Sequence, residues 1–225
     1  MDLGTPTSTA LHRAMGFRRW FVIGIILLNI FIAAIGVQSL WFGRARIVQQ
    51  VQDTTGNLAT LLEQSIADQA LRIDLALLSI IDTLEQQLAD GSWRDEGINQ
   101  LLDRHLQRFP ELNAFRASNA QGEVRWGKDV DTAKPASYAD RPFFSSHRDH
   151  PGERLIMSEP LVGRVSNIWL ISFSRSYRNP DGSFAGVVVA ALPIGHFTDM
   201  LAQLQLGPHG SAVIRHENYS LATRF

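Results

Sequence analysis

The 225-residue chain contains no cysteine. That absence excludes a disulfide framework, a thiolate metal site and a cysteine nucleophile. Neither sign of charge is in surplus, since Lys+Arg 21 against Asp+Glu 22 leaves a net charge of -1. With no excess of cations to neutralise phosphates, nucleic acid drops out as a partner. A Gly-rich phosphate loop, a Gly-x-Ser-x-Gly elbow and a His-Glu-x-x-His pair are also missing. Nothing in the sequence therefore supports catalysis, and neither enzymatic activity nor a cofactor is expected of this chain.

Charge is absent altogether from Trp20 to Gly43. A hydrocarbon core about 30 Å thick needs roughly 20 apolar residues at the helical rise, so residues 20–43 are expected to span a membrane. Trp20 and Phe21 at one end, and Trp41 and Phe42 at the other, sit where interfacial aromatic belts form. A cleaved signal peptide has an apolar region of only about 7–15 residues and a small-residue cleavage site, whereas here Arg44 and Arg46 come at once. Arg13, Arg18 and Arg19 before the run outnumber the two arginines after it. The excess of positive charge favours a cytoplasmic tail over residues 1–19 and places the residues beyond Gly43 outside the cytoplasm.

Proline is missing between Arg44 and Asp90, and apolar residues recur there at helical spacing through Ile66, Ile73, Leu77, Ile80, Ile81, Leu84 and Leu88. One long amphipathic helix over 44–90 is expected, supporting a domain at its far end and pairing with a second copy in a homodimer. Asp90-Gly91 reads as its stop. A shorter helix over about 95–109 closes at Pro110. The period then changes to that of strands, over Leu112 to Ala117 and again at Val124-Arg125-Trp126. A polar loop from Gly127 to Ser137 leads to a short helix over about 139–148. Trp169 to Tyr177 and Phe184 to Leu192 read as a long hairpin joined through Asn179-Pro180-Asp181-Gly182. A helix over 194–206 comes next. After Gly207, two strand-like pieces open a second lobe that is incomplete at 225, since a lone strand pair has no core of its own.

The fold class is thus α+β, and residues within it add a family likeness. Asp140-Arg141-Pro142-Phe143-Phe144 with His147-Arg148 and Pro151, then Pro160, Gly163-Arg164-Val165-Ser166 and Trp169, then Ser174-Arg175 and Asp181-Gly182-Ser183-Phe184-Ala185-Gly186-Val187-Val188, stand in a fixed order. They resemble the first lobe of the double-Cache (PAS-like) extracytoplasmic sensor domains found ahead of diguanylate cyclases and sensor histidine kinases. The resemblance covers roughly residues 44–206, with 91–206 as the membrane-distal lobe and 207–225 as the opening of a second. It implies a periplasmic domain that binds a small metabolite between its sheet and the loop around the short helix, and so controls a cytoplasmic output domain absent from this chain.

The candidate ligand-binding residues are Tyr138, Arg141, Phe143, Phe144, His147, Arg148, Trp169 and Ser174. Guanidinium forks offer paired donors in a plane and suit carboxylates, and Arg141 and Arg148 are spaced to share a helix face. The competing reading of Arg141 is a structural ion pair with Asp140. Of the aromatics Tyr138, Phe143 and Phe144, at least one is expected in plain core, and Trp169 is expected to pack against the long helix. Ser172 and Ser174 share one side of their strand, Phe173 and Arg175 the other, and the sequence leaves open which side meets the pocket. In Cache domains that bind amino acids, an aspartate on the late strand holds the ligand ammonium. The corresponding stretch here, Val189 to Leu192, has no acid. That departure favours a small carboxylate-like anion over an amino acid. His147 and His150 with Asp149 between them lack a third ligand, so no metal is expected. The alternative to ligand sensing is an envelope module that only dimerises or contacts another protein.

Overall fold

The computed structural model describes residues 8–150, 154–202, 213–215 and 221–224, with side chains described for 23–38, 56–150, 154–202 and 213. The chain divides into two units, residues 1–65 and 66–225. A helix, α1 (Ser8–Ala89), begins in the first unit and ends in the second.

In the first unit, Ile23 to Gln38 is helical with its apolar side chains exposed, among them Leu27, Ile30 and Phe31. Among the described residues, no helix is long and apolar enough to cross a membrane. The span expected over 20–43 reaches past Ile23 and Gln38 at both ends, where side chains lie outside the described residues.

The second unit is built on one sheet. The last turns of α1 present Ile73, Leu77, Ile80 and Leu84 on a single stripe, all fully buried. At about 1.5–3 kcal/mol for each such side chain, that stripe is a principal source of cohesion. Gly91, with φ +72, takes the left-handed conformation that ends the helix, and Asp90 Oδ1 accepts from the Ser92 amide at 2.9 Å. In α2 (Asp95–Leu106), acids occupy the first turn and bases the last, which suits the helix dipole, while Ile98, Leu101 and Leu102 face inward.

The strands are β1 (Ala114–Ser118), β2 (Val124–Gly127), β3 (Ile156–Met157), β4 (Leu161–Val162), β5 (Trp169–Arg178) and β6 (Phe184–Pro193). They form an antiparallel sheet in the order β2-β1-β6-β5-β3, with β4 also on β5. The long hairpin β5-β6 turns through Asn179 to Ser183, where Gly182 donates to the Asn179 carbonyl at 2.8 Å. Two short elements, β3 and β4, lie in a stretch where no strand was expected.

Alternation along the strands gives the sheet two faces. Phe115 and Ala117, Ile171 and Phe173, and Val188, Ala190 and Leu192 pack with α1 and α2 in the main core. Val187 and Val189 point the other way, into a second cluster with Val124, Tyr138, Phe143 and Phe144. Ser172 and Ser174 lie on this second face, which settles what the sequence left open. The helix face also carries a bidentate ion pair, in which Arg175 Nε and Nη2 meet the two oxygens of Asp74, the latter at 2.8 Å. Trp169 does not pack on the long helix as expected. It is 60% exposed, because β5 begins there beyond the helix-covered stretch and its cross-strand partner is Val162.

Helix α4 (Ile194–Ala202) buries Phe197 and Leu201. The rest of the helix expected to residue 206 lies outside the described residues. Strands β7 (Val213–Arg215) and β8 (Leu221–Arg224) pair antiparallel as a separate two-stranded sheet.

Candidate ligand-binding site

The second face of the sheet is roofed by helix α3 (Pro142–Asp149) and the segment 158–168. Proline at the first helical position disfavours helical backbone in the residue before it, and Arg141 accordingly is extended, at φ -81 and ψ 136. Arg141 is thus held at the mouth of α3 rather than on a helix face. Phe143, Phe144 and His147 form the buried stripe of α3. Tyr138 meets Phe143 edge-on at 5.5 Å, and Phe144 meets Phe184 the same way at 5.5 Å.

His147 pins α3 to β5. Its Nε2 lies 3.1 Å from both the carbonyl oxygen and the hydroxyl of Ser174. Only an N–H at Nε2 can satisfy the carbonyl, so that nitrogen carries a proton. Burial pushes its pKa from 6.5 down to about 4; the bond to Ser174 opposes the shift, and Arg154 and Arg175 add to it.

Two adjoining spaces lie under this roof. The outer one is a cleft of about 570 Å³ bounded by α3 and the β3-β4 segment, with Arg141, Phe143, Ser146, Met157 and Glu159 on its wall. The inner one, of about 20 Å³, lies between the sheet and Tyr138, and reaches Arg116, Arg164 and Ser172. Space of that size holds about one water. Arg141 and Phe143 belong to both.

The chemistry of the inner space is cationic. Arg141 donates from Nη2 to the Val162 carbonyl at 2.8 Å. Asp140, its neighbour, instead pairs with Arg164 at 2.5 Å, so the ion pair considered for Arg141 is made by another arginine. Arg164 also donates to the Ser137 carbonyl at 2.8 Å. Arg116 is only 3% exposed and bonds the Lys128 carbonyl and Asn113 Oδ1, both uncharged groups, at 3.0 and 3.3 Å. Burial lowers its pKa, and Tyr138 and Asp129 counter this from a distance. Burial raises the Tyr138 pKa, so the phenol is a proton donor. Ser172 Oγ is buried with no hydrogen-bond partner.

The sequence candidates divide accordingly. Tyr138, Arg141 and Phe143 line the two spaces. Phe144 and His147 lie on the buried side of α3 and Ser174 on the strand below it, Arg148 is exposed and paired with Asp149 at 2.7 Å, and Trp169 faces outward; none of these lines either space. Arg116, Arg164 and Ser172 were not among the candidates. Arg116 had one signal: a charge in the middle of the alternating strand Phe115-Arg116-Ala117 must face away from the helices. Among the described residues, no group of three His, Asp or Glu side chains could hold a metal ion.

No protein-family model matches the chain, and no curated protein matches it. Solved structures do. The extracellular domain of a candidate histidine kinase, rpHK1S-Z16, superposes with a TM-score of 0.62 at 24% identity, covering 71% of this chain and 64% of that one. The ligand-binding domain of the Campylobacter jejuni chemoreceptor Tlp3, in complex with 4-methylisoleucine, gives 0.55 at 11% identity, covering 71% and 63%. That of the Pseudomonas fluorescens chemoreceptor CtaA, in complex with L-serine, gives 0.51 at 14% identity, covering 68% and 64%. The chain spans less than two thirds of the length of each. At these identities the likeness is one of fold.

Proposed function

We propose that this chain is the sensing part of a signalling protein, anchored in the inner membrane by residues 20–43, with the sheet-bearing unit in the periplasm and a carboxylate-bearing metabolite as its ligand. One observation carries the ligand assignment. Arg141 stands where the outer cleft meets the inner space, and among the described residues its guanidinium donates to the neutral Val162 carbonyl rather than to an acid. A carboxylate offers that fork two charged oxygens in place of one neutral one. The fold supports the reading, since the similar chemoreceptor domains were solved with amino acids, which carry a carboxylate. The uncharged run from Trp20 to Gly43 supports the anchor. Exposed Leu71 and Leu75, one turn apart on α1, suit a homodimer. A histidine kinase or diguanylate cyclase is the output this reading assigns to the protein beyond the chain.

Signalling requires that the ligand prefer one of two arrangements of the domain, because equal affinity for both moves nothing. The test is thermal melting of the purified full chain against a panel of small carboxylates, with Arg141→Ala beside it. A carboxylate that raises the melting temperature of the parent and not of the variant is the expected outcome. A panel without effect, or a variant that responds like the parent, overturns the assignment. The small volume of the inner space favours a second reading, an interaction module that binds no ligand. That reading predicts an unresponsive domain that still cross-links as a dimer.

A further inference from the structure

We infer that the ligand carries two anionic groups, the first held by Arg141 and the second by a separate position deep in the fold formed by Arg116, Tyr138 and Ser172. This rests on the carboxylate reading of Arg141 and adds the chemical class of the molecule. Three arginines and no acid line the inner space. Arg164 is already neutralised by Asp140. Arg116 and Arg141 make no ion pair among the described residues, and the acceptors they bond there are uncharged. Two guanidiniums without an ion-pair partner beside one enclosure call for a dianion.

The deeper position has the form of a site. Arg116 is anchored from behind through Nε and one Nη2 bond, which fixes the fork while leaving N–H groups over, since a guanidinium has five. It projects from β1 directly opposite Val189 of β6, so the neighbouring strand offers no competing polar group. Ser172 Oγ, 2% exposed as a residue, borders the same space without a partner. An unsatisfied buried hydroxyl is costly and calls for an acceptor or donor from outside the chain. The Tyr138 phenol is close enough to respond to the charges of both Arg116 and Arg141. A second carboxylate would collect a charge-assisted bond from Arg116 and bonds from both hydroxyls. An ammonium group there would meet cations on two sides and no acid. The inner space is small, so the roof must move to admit the molecule, and one contact between α3 and the β4 segment is the bond from Arg141 to the Val162 carbonyl.

The experiment is calorimetric titration of the purified full chain with succinate, with butyrate as the monoanion of equal length, and with L-valine. Succinate should bind at least about tenfold tighter than butyrate, and L-valine should be the weakest. Arg116→Gln should abolish the advantage of succinate while leaving butyrate within about twofold; Arg116→Lys should keep part of it. Ser172→Ala removes a hydroxyl that bonds nothing in the protein, so it folds as the parent and should weaken succinate alone. Equal affinity for succinate and butyrate in the parent, or equal losses in Ser172→Ala, overturns the second position and leaves the Arg141 reading standing. No binding of any of the three, with Arg141→Ala indistinguishable from the parent, overturns both.

Discussion

Acid should loosen the fold through His147 before it protonates the carboxylates. The side chain is 1% exposed, and its pKa falls from 6.5 to about 4 on folding. The folded value lies below the unfolded one, so the unfolded chain takes up the proton first. Stability that is complete above the unfolded pKa is therefore lost as the pH falls through about 6.5, and the loss levels off below about 4. The full shift corresponds to about 3 kcal/mol, of which about 2 kcal/mol is lost between about pH 7.5 and pH 5. Urea unfolding at a series of pH values measures it, with His147→Gln as the control that keeps an amide donor and does not titrate. His105, whose pKa burial also lowers, is common to both proteins and cancels in the difference. The parent should lose about 2 kcal/mol more than the variant over that range. Parallel profiles would show that the ring is not held neutral against Ser174, and with that the account of how α3 is pinned would fail.

Asp74→Ala strips Arg175 of its bidentate partner on the helix face, and should cost about 1.5–3 kcal/mol, the range for hydrogen bonds to a charged group, in the same unfolding assay. Gly186→Ala should be more damaging, at or above about 3 kcal/mol, because a Cβ at φ +155 would collide with the Ser118 carbonyl oxygen of the adjacent strand. Leu77→Ala should cost about 2–5 kcal/mol, since the side chain is fully buried in the main core. Ser172→Ala should be neutral or stabilising by up to about 1 kcal/mol, since it deletes a polar atom that no group in the chain satisfies.

The periodicity that carried the long helix, the hairpin and the short helix is local, and a sequence displays local regularities directly. Strands β3 and β4 escaped because two residues cannot establish a period, and what holds them is pairing to Ser174, Phe173, Leu170 and Trp169 far along the chain. The site was legible in part for the same reason. Arg141, Tyr138 and Phe143 lie together in sequence around one helix start, whereas Arg116 and Ser172 come to them only through the order β1-β6-β5. Trp169 misled because its place in a hydrophobic run promised burial, and only the position of the strand end relative to α1 decides that. The choice of face for Ser172 and Ser174 depends on which side the helices cover, a tertiary fact that alternation within one strand does not contain.

Strand β5 is two-sided in a way that bears on how news of a ligand could leave the domain. Ser172 looks into the inner space from one side, and three residues on, from the other, Arg175 grips Asp74 of α1 with both arms of its fork. The extended backbone between them is a stiff bar with a load at one end and a clamp at the other. A displacement of the first would reach the helix through that bar, with no slack loop in which to dissipate.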